Sequence, residues 1–270
     1  MYQTIVDAMH SLGGAGLIFG LENSQKGENE FQGAFGRALE RMTQGDGWRW
    51  RYSHHYEKEE RFKTEALTNV EEIAFDVVGR HNDKGTVAIE LKYIMGKPKD
   101  QPALPYDVAK DCLKLDLLRS GLCFAPALPS ALPDPEKLQT YVVALTNWSR
   151  YWEGKRSKGW SANFANALKA NGKPVCFEGL LRTNGKPEVT IFTNRRCHIA
   201  FGQEWTGEWR QYSSTGEAKA FSYLLLHPAS EAKPEWTHQH MSINEQSEII
   251  PFLNTASREE FKRRKRNKQD

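Results

Sequence analysis

The chain of 270 residues lacks the features that mark secreted, membrane and zinc-binding proteins. Its four cysteines are widely spaced and form no Cys-x-x-Cys pair, which favours reduced thiols over disulfide bonds or a zinc site. No apolar run approaches the ~20 residues that span a bilayer. The first ten residues lack the basic start and apolar centre of a signal peptide. These absences predict a cytoplasmic protein without a membrane partner.

The chain also has little net charge. The formal net charge is +3, which is too small to indicate a nucleic-acid partner by itself. The hydrophobic share of 39% suits a globular protein with a sizeable core. Positive charge is concentrated near the end, where residues 262–268 hold six basic side chains in seven positions. Such a run either attracts phosphates or solubilises a disordered tail, and both interpretations stay open.

Residues 73–94 are the most informative stretch that the sequence does contain. Apolar residues alternate along 73–78 and again along 87–94, which is typical of two strands. Between them, residues 81–85 have the polar and glycine side chains that tolerate turn geometry. The stretch therefore predicts a β-hairpin.

The hairpin places charged side chains together. If it closes symmetrically, Arg80 pairs with Thr86, and the same register sets Asp76 directly opposite Glu90. Lys92 shares a face with Glu90, because strand side chains two apart point the same way. Like charges opposite each other are destabilising, and a divalent cation compensates them because it binds carboxylate oxygens. The sequence thus predicts a metal site.

Asp76, followed on the next strand by Glu90-Leu91-Lys92, resembles the motif of the PD-(D/E)xK nuclease superfamily. Phe75 stands where that motif has its proline, the loosest of its positions. The resemblance implies an α/β fold with a central mixed β-sheet flanked by helices, a restriction-endonuclease-like core. It also implies Mg²⁺, or Mn²⁺ as a substitute, bound by Asp76, Glu90 and the Leu91 carbonyl. Lys92 would stabilise the transition state of phosphodiester hydrolysis.

A helix is predicted over 28–42, before the hairpin. Its apolar stripe consists of Phe31, Phe35, Leu39 and Met42. Glu28 falls on that stripe and Glu30 at its edge. Acidic residues at a helix N-terminus are also favoured by the helix dipole alone. In the superfamily this helix often donates a third acid to the metal, and the resemblance points to Glu28 first and Glu30 second.

A second helix is predicted over 106–120, after the hairpin, with Val108, Cys112, Leu115 and Leu118 on its apolar side. Lys110 and Lys114 lie elsewhere on its surface. We interpret them as members of a solvated face with salt bridges to Asp107 and Asp111. The alternative, suggested by the superfamily, is that the two lysines contact the DNA backbone.

Other segments predict strands. Residues 48–52 alternate aromatic and arginine side chains, which we interpret as an edge strand with its aromatics inward rather than a nucleic-acid surface. Residues 140–147 predict a buried strand. Residues 171–230 read as short strands and turns, one turn falling at Thr206 and Gly207. Three short matches resemble uncharacterised bacterial members of the nuclease group: Leu145-Thr146-Asn147, Tyr151-Trp152 and residues 208–213.

We divide the chain into an N-terminal lead-in (1–22), a nuclease core (23–160), a β-rich extension packed on the core (161–250) and a basic tail (251–270). The resemblance implies a DNA endonuclease, by analogy one of restriction or phage defence, that forms a homodimer. Two alternatives stay open. One is a catalytically inactive nucleic-acid-binding or assembly module on the same fold. The other is an RNA- or nucleotide-directed hydrolase.

Overall fold

The computed structural model describes a large part of the chain. The described residues are 1–14, 27–52, 61–64, 73–94, 103–119, 123–124, 135–152, 157–159, 161–169, 173–182, 184, 199–212, 221–232 and 234. The helices are α1 (Tyr2–Gly14), α2 (Gly27–Met42), α3 (Ala103–Arg119) and α4 (Ala162–Leu168). The strands are β1 (Arg49–Tyr52), β2 (Arg61–Thr64), β3 (Ile73–Ala74), β4 (Val77–His81), β5 (Gly85–Ile94), β6 (Cys123–Phe124), β7 (Leu138–Thr146), β8 (Val175–Phe177), β9 (Leu180–Leu181), β10 (Ile199–Ala200), β11 (Trp205–Tyr212) and β12 (Phe221–Pro228).

The centre of the structure is a seven-stranded mixed sheet in the order β1-β4-β5-β7-β12-β11-β8. β5 and β7 are parallel, and the other neighbouring pairs are antiparallel. A parallel pair needs a crossover connection, which α3 provides between β5 and β7. The predicted α/β class and mixed central sheet are confirmed. Strands from both sides of the predicted boundary at residue 160 share this sheet.

Helices cover both faces of the sheet. On one face, α1 and α2 form a core with Val87, Ile89 and Leu91 of β5, and α2 packs directly on that strand. On the other face, α3 packs against Ala88 of β5 and against β7. The period of two along β5 thus sends alternate side chains into two different cores. The predicted α2 stripe is buried except at Met42, which is 38% exposed because the helix ends there.

The hairpin has the predicted register, because Arg80 pairs with Thr86. The predicted continuous strand over 73–78 is wrong, since Phe75 and Asp76 stand outside the ladders between β3 and β4. The β4–β5 ladder ends at the pair of Val77 and Ile89, so Asp76 and Glu90 do not form a ladder pair. The interruption also turns Phe75 into the core on the α3 side, whereas Val77 packs on the other face.

Three further predictions differ from the structure. Helix α3 begins at Ala103, and Pro105 lies in its first turn, where a missing N–H costs little. Thr206 and Gly207 lie inside β11 rather than in a turn, with the Gly207 backbone against Leu225 of β12. Helix α4 was not predicted. The edge strand is confirmed: Trp50 is buried and the arginines of β1 are exposed.

Some predictions fall on residues that the structure does not describe, among them the basic tail, 251–270. The division of the chain into lead-in, core, extension and tail stays a prediction. Within the described ranges, none of the helices is long and apolar enough to cross a membrane.

Candidate active site

The side chains predicted to act together lie around the C-terminal half of β5. Glu90 and Lys92 project from β5 towards α3, where each pairs with an α3 side chain. Asp76 lies immediately before β4, and Glu28 lies in the first turn of α2. Glu28 interacts electrostatically with Lys92 and Asp76, and Asp76 also interacts with Glu90. The structure therefore brings together four residues that come from three separate parts of the chain.

Asp76 is held by two hydrogen bonds. Its Oδ2 accepts from the backbone N–H of Leu91 at 2.7 Å, and its Oδ1 accepts from Nε2 of Gln32 at 2.9 Å. Gln32 belongs to α2 and is only 4% exposed. The carboxylate thus takes the place of a backbone carbonyl that would accept from β5. This replacement explains why the predicted strand over 73–78 is interrupted between β3 and β4. No role was predicted for Gln32 from the sequence. The one signal in the sequence is that this amide side chain directly follows Phe31, which belongs to the apolar stripe.

Helix α2 approaches β5 closely at its N-terminus. A Cβ atom at Gly27 would collide with the Tyr93 ring, so only glycine allows this approach. The contact brings Glu28 towards Lys92. Although Glu28 is exposed as a residue, partial burial of its carboxyl raises its pKa, Lys92 opposes that shift, and Asp76 adds to it. Glu30 is exposed.

Helix α3 supplies an oppositely charged partner for each charged side chain of β5. Glu90 Oε1 lies 2.7 Å from the ammonium nitrogen of Lys114, and the Lys92 ammonium lies 2.8 Å from Asp111 Oδ2. Lys114 also lies 3.3 Å from Asp111 Oδ1. The four groups form a continuous chain of ion pairs, in the order Lys92, Asp111, Lys114, Glu90. Glu90 and Asp111 are almost fully buried.

The solvated face predicted for α3 is therefore wrong at Asp111, which is buried, and at Lys114, which pairs with buried Glu90. The predicted salt bridges of Lys110 and Lys114 to Asp107 and Asp111 are confirmed. Asp111 and Lys114 face the sheet because β5 offers them charged partners. A signal was present in the sequence. Asp111 stands three residues after Val108 and four before Leu115, so helical spacing puts it on their apolar stripe.

Burial and pairing shift the pKa values in this chain. Burial raises the pKa of Glu90 well above its usual range; Lys114 opposes the shift, and Asp76 and Asp111 add to it. Burial would also raise the pKa of Asp111, but Lys92 and Lys114 outweigh it and lower that pKa. For both lysines burial favours the neutral form, yet the neighbouring carboxylates outweigh it and raise the pKa. Both ammonium groups are charged at neutral pH.

Carboxyl groups outnumber ammonium groups at the site. Glu28, Asp76, Glu90 and Asp111 face Lys92 and Lys114, so two negative charges would remain if all six groups were ionised, although burial favours the protonated form of Glu90. One divalent cation would balance them, and carboxylate oxygens are the ligands that hard cations prefer. The Leu91 carbonyl points to the same edge of β5 as its N–H, towards Asp76. The donor chemistry therefore fits Mg²⁺ or Mn²⁺.

The carboxylates are not gathered as a ligand set. Among the residues that the structure describes, no three His, Cys, Asp or Glu side chains are grouped so that they could hold a metal ion. Glu90 is engaged with Lys114, and Asp76 with Leu91 and Gln32. Binding a cation would require Glu90 to exchange Lys114 for the ion.

A second buried acid lies near the other end of α3. Asp116 is fully buried and accepts hydrogen bonds from Trp205 Nε1 at 2.8 Å and from the Gly202 N–H at 3.1 Å. Arg119, one turn later, donates to the carbonyls of Glu231 and Ala232. Burial raises the pKa of Asp116 to about 7, against the effect of these hydrogen bonds. These contacts tie α3 to the second half of the chain and are structural.

Comparisons of the chain with protein-family models, with curated proteins and with solved structures give no match. Membership of the PD-(D/E)xK superfamily stays a prediction. Function has to be inferred from the arrangement of the site residues.

Proposed function

We propose that this protein is a metal-dependent nuclease that hydrolyses DNA phosphodiester bonds. One observation carries the proposal: Glu28, Asp76, Glu90 and Lys92 interact electrostatically beside the C-terminal half of β5, and with their α3 partners they set four carboxyl groups against two ammonium groups. A site of this composition is suited to a divalent cation and a phosphate. The mixed sheet with α2 and α3 on opposite faces also agrees with the restriction-endonuclease-like core that the resemblance implies.

Asp76, Glu90 and the Leu91 carbonyl would hold Mg²⁺, or Mn²⁺ in its place, and Glu28 would complete the site. Glu28 is preferred to Glu30 because its carboxyl interacts with Lys92 and Asp76. When bound, the cation would lower the pKa of a water molecule and neutralise charge on the phosphate.

The protein's own groups would stabilise the charge that develops on the phosphate and hold the site residues in position. Lys92 is protonated, and Asp111 fixes its ammonium group at 2.8 Å. In that position it would donate hydrogen bonds to a non-bridging phosphate oxygen as negative charge develops there. Gln32 and the Leu91 N–H fix Asp76 in the orientation from which it faces the site.

Cleavage of supercoiled plasmid DNA tests the proposal. We expect nicked and linear products with Mg²⁺ or Mn²⁺ and none with EDTA. Lys92→Ala should reduce the rate by about 100-fold or more, the effect of removing a transition-state donor, while its circular dichroism spectrum stays that of the wild type. Absence of metal-dependent cleavage of both double- and single-stranded DNA by the folded wild type would refute the proposal.

The inactive nucleic-acid-binding module remains a second candidate, because Glu90 and Lys92 are both engaged in ion pairs with α3. Calorimetry with Mg²⁺ and electrophoretic mobility shifts with DNA separate the two. DNA binding without metal binding or cleavage would favour the module. Adding RNA and nucleotide substrates to the cleavage assay addresses the hydrolase alternative. The homodimer and the role in restriction or phage defence stay predictions.

A further inference from the structure

Asp111 occupies a central place in the ion-pair chain between α3 and β5. Its two carboxylate oxygens bind different ammonium groups, Oδ2 that of Lys92 and Oδ1 that of Lys114. Lys114 in turn contacts Glu90. One buried carboxylate is thus linked, directly or through one lysine, to both charged side chains of the Glu-x-Lys motif.

The same helix carries a matched pair of residues with a different environment. Asp107 and Lys110 have the same spacing as Asp111 and Lys114, one turn earlier, and lie 3.0 Å apart. The Asp107 side chain is 35% exposed, whereas that of Asp111 is 1% exposed and is also bound to Lys92 of β5. Asp111 therefore has a partner on the sheet in addition to the ordinary helix-surface pairing.

The ion pair with Asp111 limits the conformational freedom of the Lys92 side chain. A lysine side chain has four rotatable bonds and loses considerable conformational entropy when its ammonium group is fixed. If the ammonium group is already held in place before the substrate binds, this entropy is not lost during the reaction. Asp111 provides the ordering, because it is itself immobilised by burial and by Lys114.

We propose that Asp111 is a positioning residue that holds the Lys92 ammonium group at the reacting phosphate and, through Lys114, fixes Glu90. This inference rests on the proposed nuclease function. Asp111 itself touches neither substrate nor metal in this scheme. Its contribution is therefore expected in kcat, through Lys92, and not in the KM for DNA.

The test compares Asp111→Asn with Asp107→Asn, the same substitution one helical turn away. Asp111→Asn should lower kcat for plasmid cleavage by roughly 10- to 100-fold, the effect of misplacing a catalytic group, with KM unchanged. Asp107→Asn should retain wild-type kcat. In a Lys92→Ala background Asp111→Asn should cause a smaller further loss of rate, because Lys92 is already gone and only the route through Lys114 to Glu90 remains. An equal loss in both backgrounds would overturn the proposal.

Folding is followed independently of activity. The losses of Tm caused by Asp111→Asn and Lys92→Ala should not add in the double variant, because either substitution breaks the same ion pair. If Asp111→Asn does not fold, Asp111→Glu keeps the charge but displaces the carboxylate, and it should lower kcat with KM unchanged. Wild-type kcat in Asp111→Glu or Asp111→Asn, in an enzyme whose wild type cleaves DNA, would refute the positioning role alone. A folded wild type that cleaves nothing would refute the proposed function.

Discussion

Asp76 accepts a hydrogen bond from the N–H of Leu91 at 2.7 Å, just beyond the last rung of the β4–β5 ladder. Its other oxygen binds Gln32 of α2. A side-chain carboxylate thus replaces a backbone carbonyl as the partner of β5. The β4–β5 ladder ends at this contact, and the carboxylate also interacts electrostatically with Glu90 and Lys92.

Asp76→Asn separates these two roles. The amide oxygen can accept from Leu91, and Gln32 can rotate its own amide to accept from the new NH₂ group, so the fold should persist. The lost charge should reduce Mg²⁺-dependent cleavage by about 100-fold or more. Asp83→Asn, in the exposed hairpin turn, serves as the control and should leave cleavage unchanged. Plasmid nicking and thermal melts measure both effects, and full activity in Asp76→Asn would remove Asp76 from the site.

Lys114→Met should destabilise the protein far more than Lys110→Met does. Removing the Lys114 ammonium leaves buried Glu90 without its partner, which costs about 3–5 kcal/mol for a buried ion pair. Lys110 pairs with the partly exposed Asp107, and such pairs contribute about 0–1 kcal/mol. Urea denaturation of the two variants gives the comparison. Equal losses of unfolding free energy would mean that Glu90 is not buried as the structure has it.

Two glycines in the interior of α2 should respond in opposite ways to alanine. A Cβ at Gly33 meets only the end of the flexible Arg37 side chain, at 3.3 Å, so Gly33→Ala should stabilise by about 0.5–1 kcal/mol through helix propensity. A Cβ at Gly36 would collide with the Tyr52 ring of β1, so Gly36→Ala should destabilise by about 1–3 kcal/mol. Thermal unfolding followed by circular dichroism measures both. Stabilisation by Gly36→Ala would contradict the packing of α2 on β1.

Asp116 should make stability depend on pH. Its pKa is raised to about 7 in the folded protein, against about 4 in the unfolded chain. The folded state therefore keeps a proton that the unfolded state releases, so this stabilisation is complete below about pH 4 and is lost as the pH rises through about 7. Unfolding free energy relative to Asp116→Asn should fall from pH 4 to pH 8. If urea denaturation shows that the unfolding free energies of the wild type and Asp116→Asn change in parallel with pH, the raised pKa of Asp116 would be contradicted.

The sequence by itself determined the local elements near the site. Alternation fixed the faces of β5, because strand side chains two apart must point the same way. The polar turn fixed the hairpin register, in which Arg80 pairs with Thr86. Helical spacing predicted most of α2, and with it the position of Glu28 near the start of the helix. These features depend on residues close together in the chain, whose geometry follows from bond angles and periodicity.

Only the tertiary structure decided which side chains of these elements contact one another. The interruption at Asp76 depends on Gln32 and Leu91, which come from a distant helix and a neighbouring strand. The burial of Asp111 depends on Lys92, which α3 encounters because β5 and β7 are parallel neighbours. Helical spacing puts Asp111 on an apolar stripe, but burying its charge requires that opposite charges be placed against it. That placement is set by the packing of the whole chain, which local patterns do not encode.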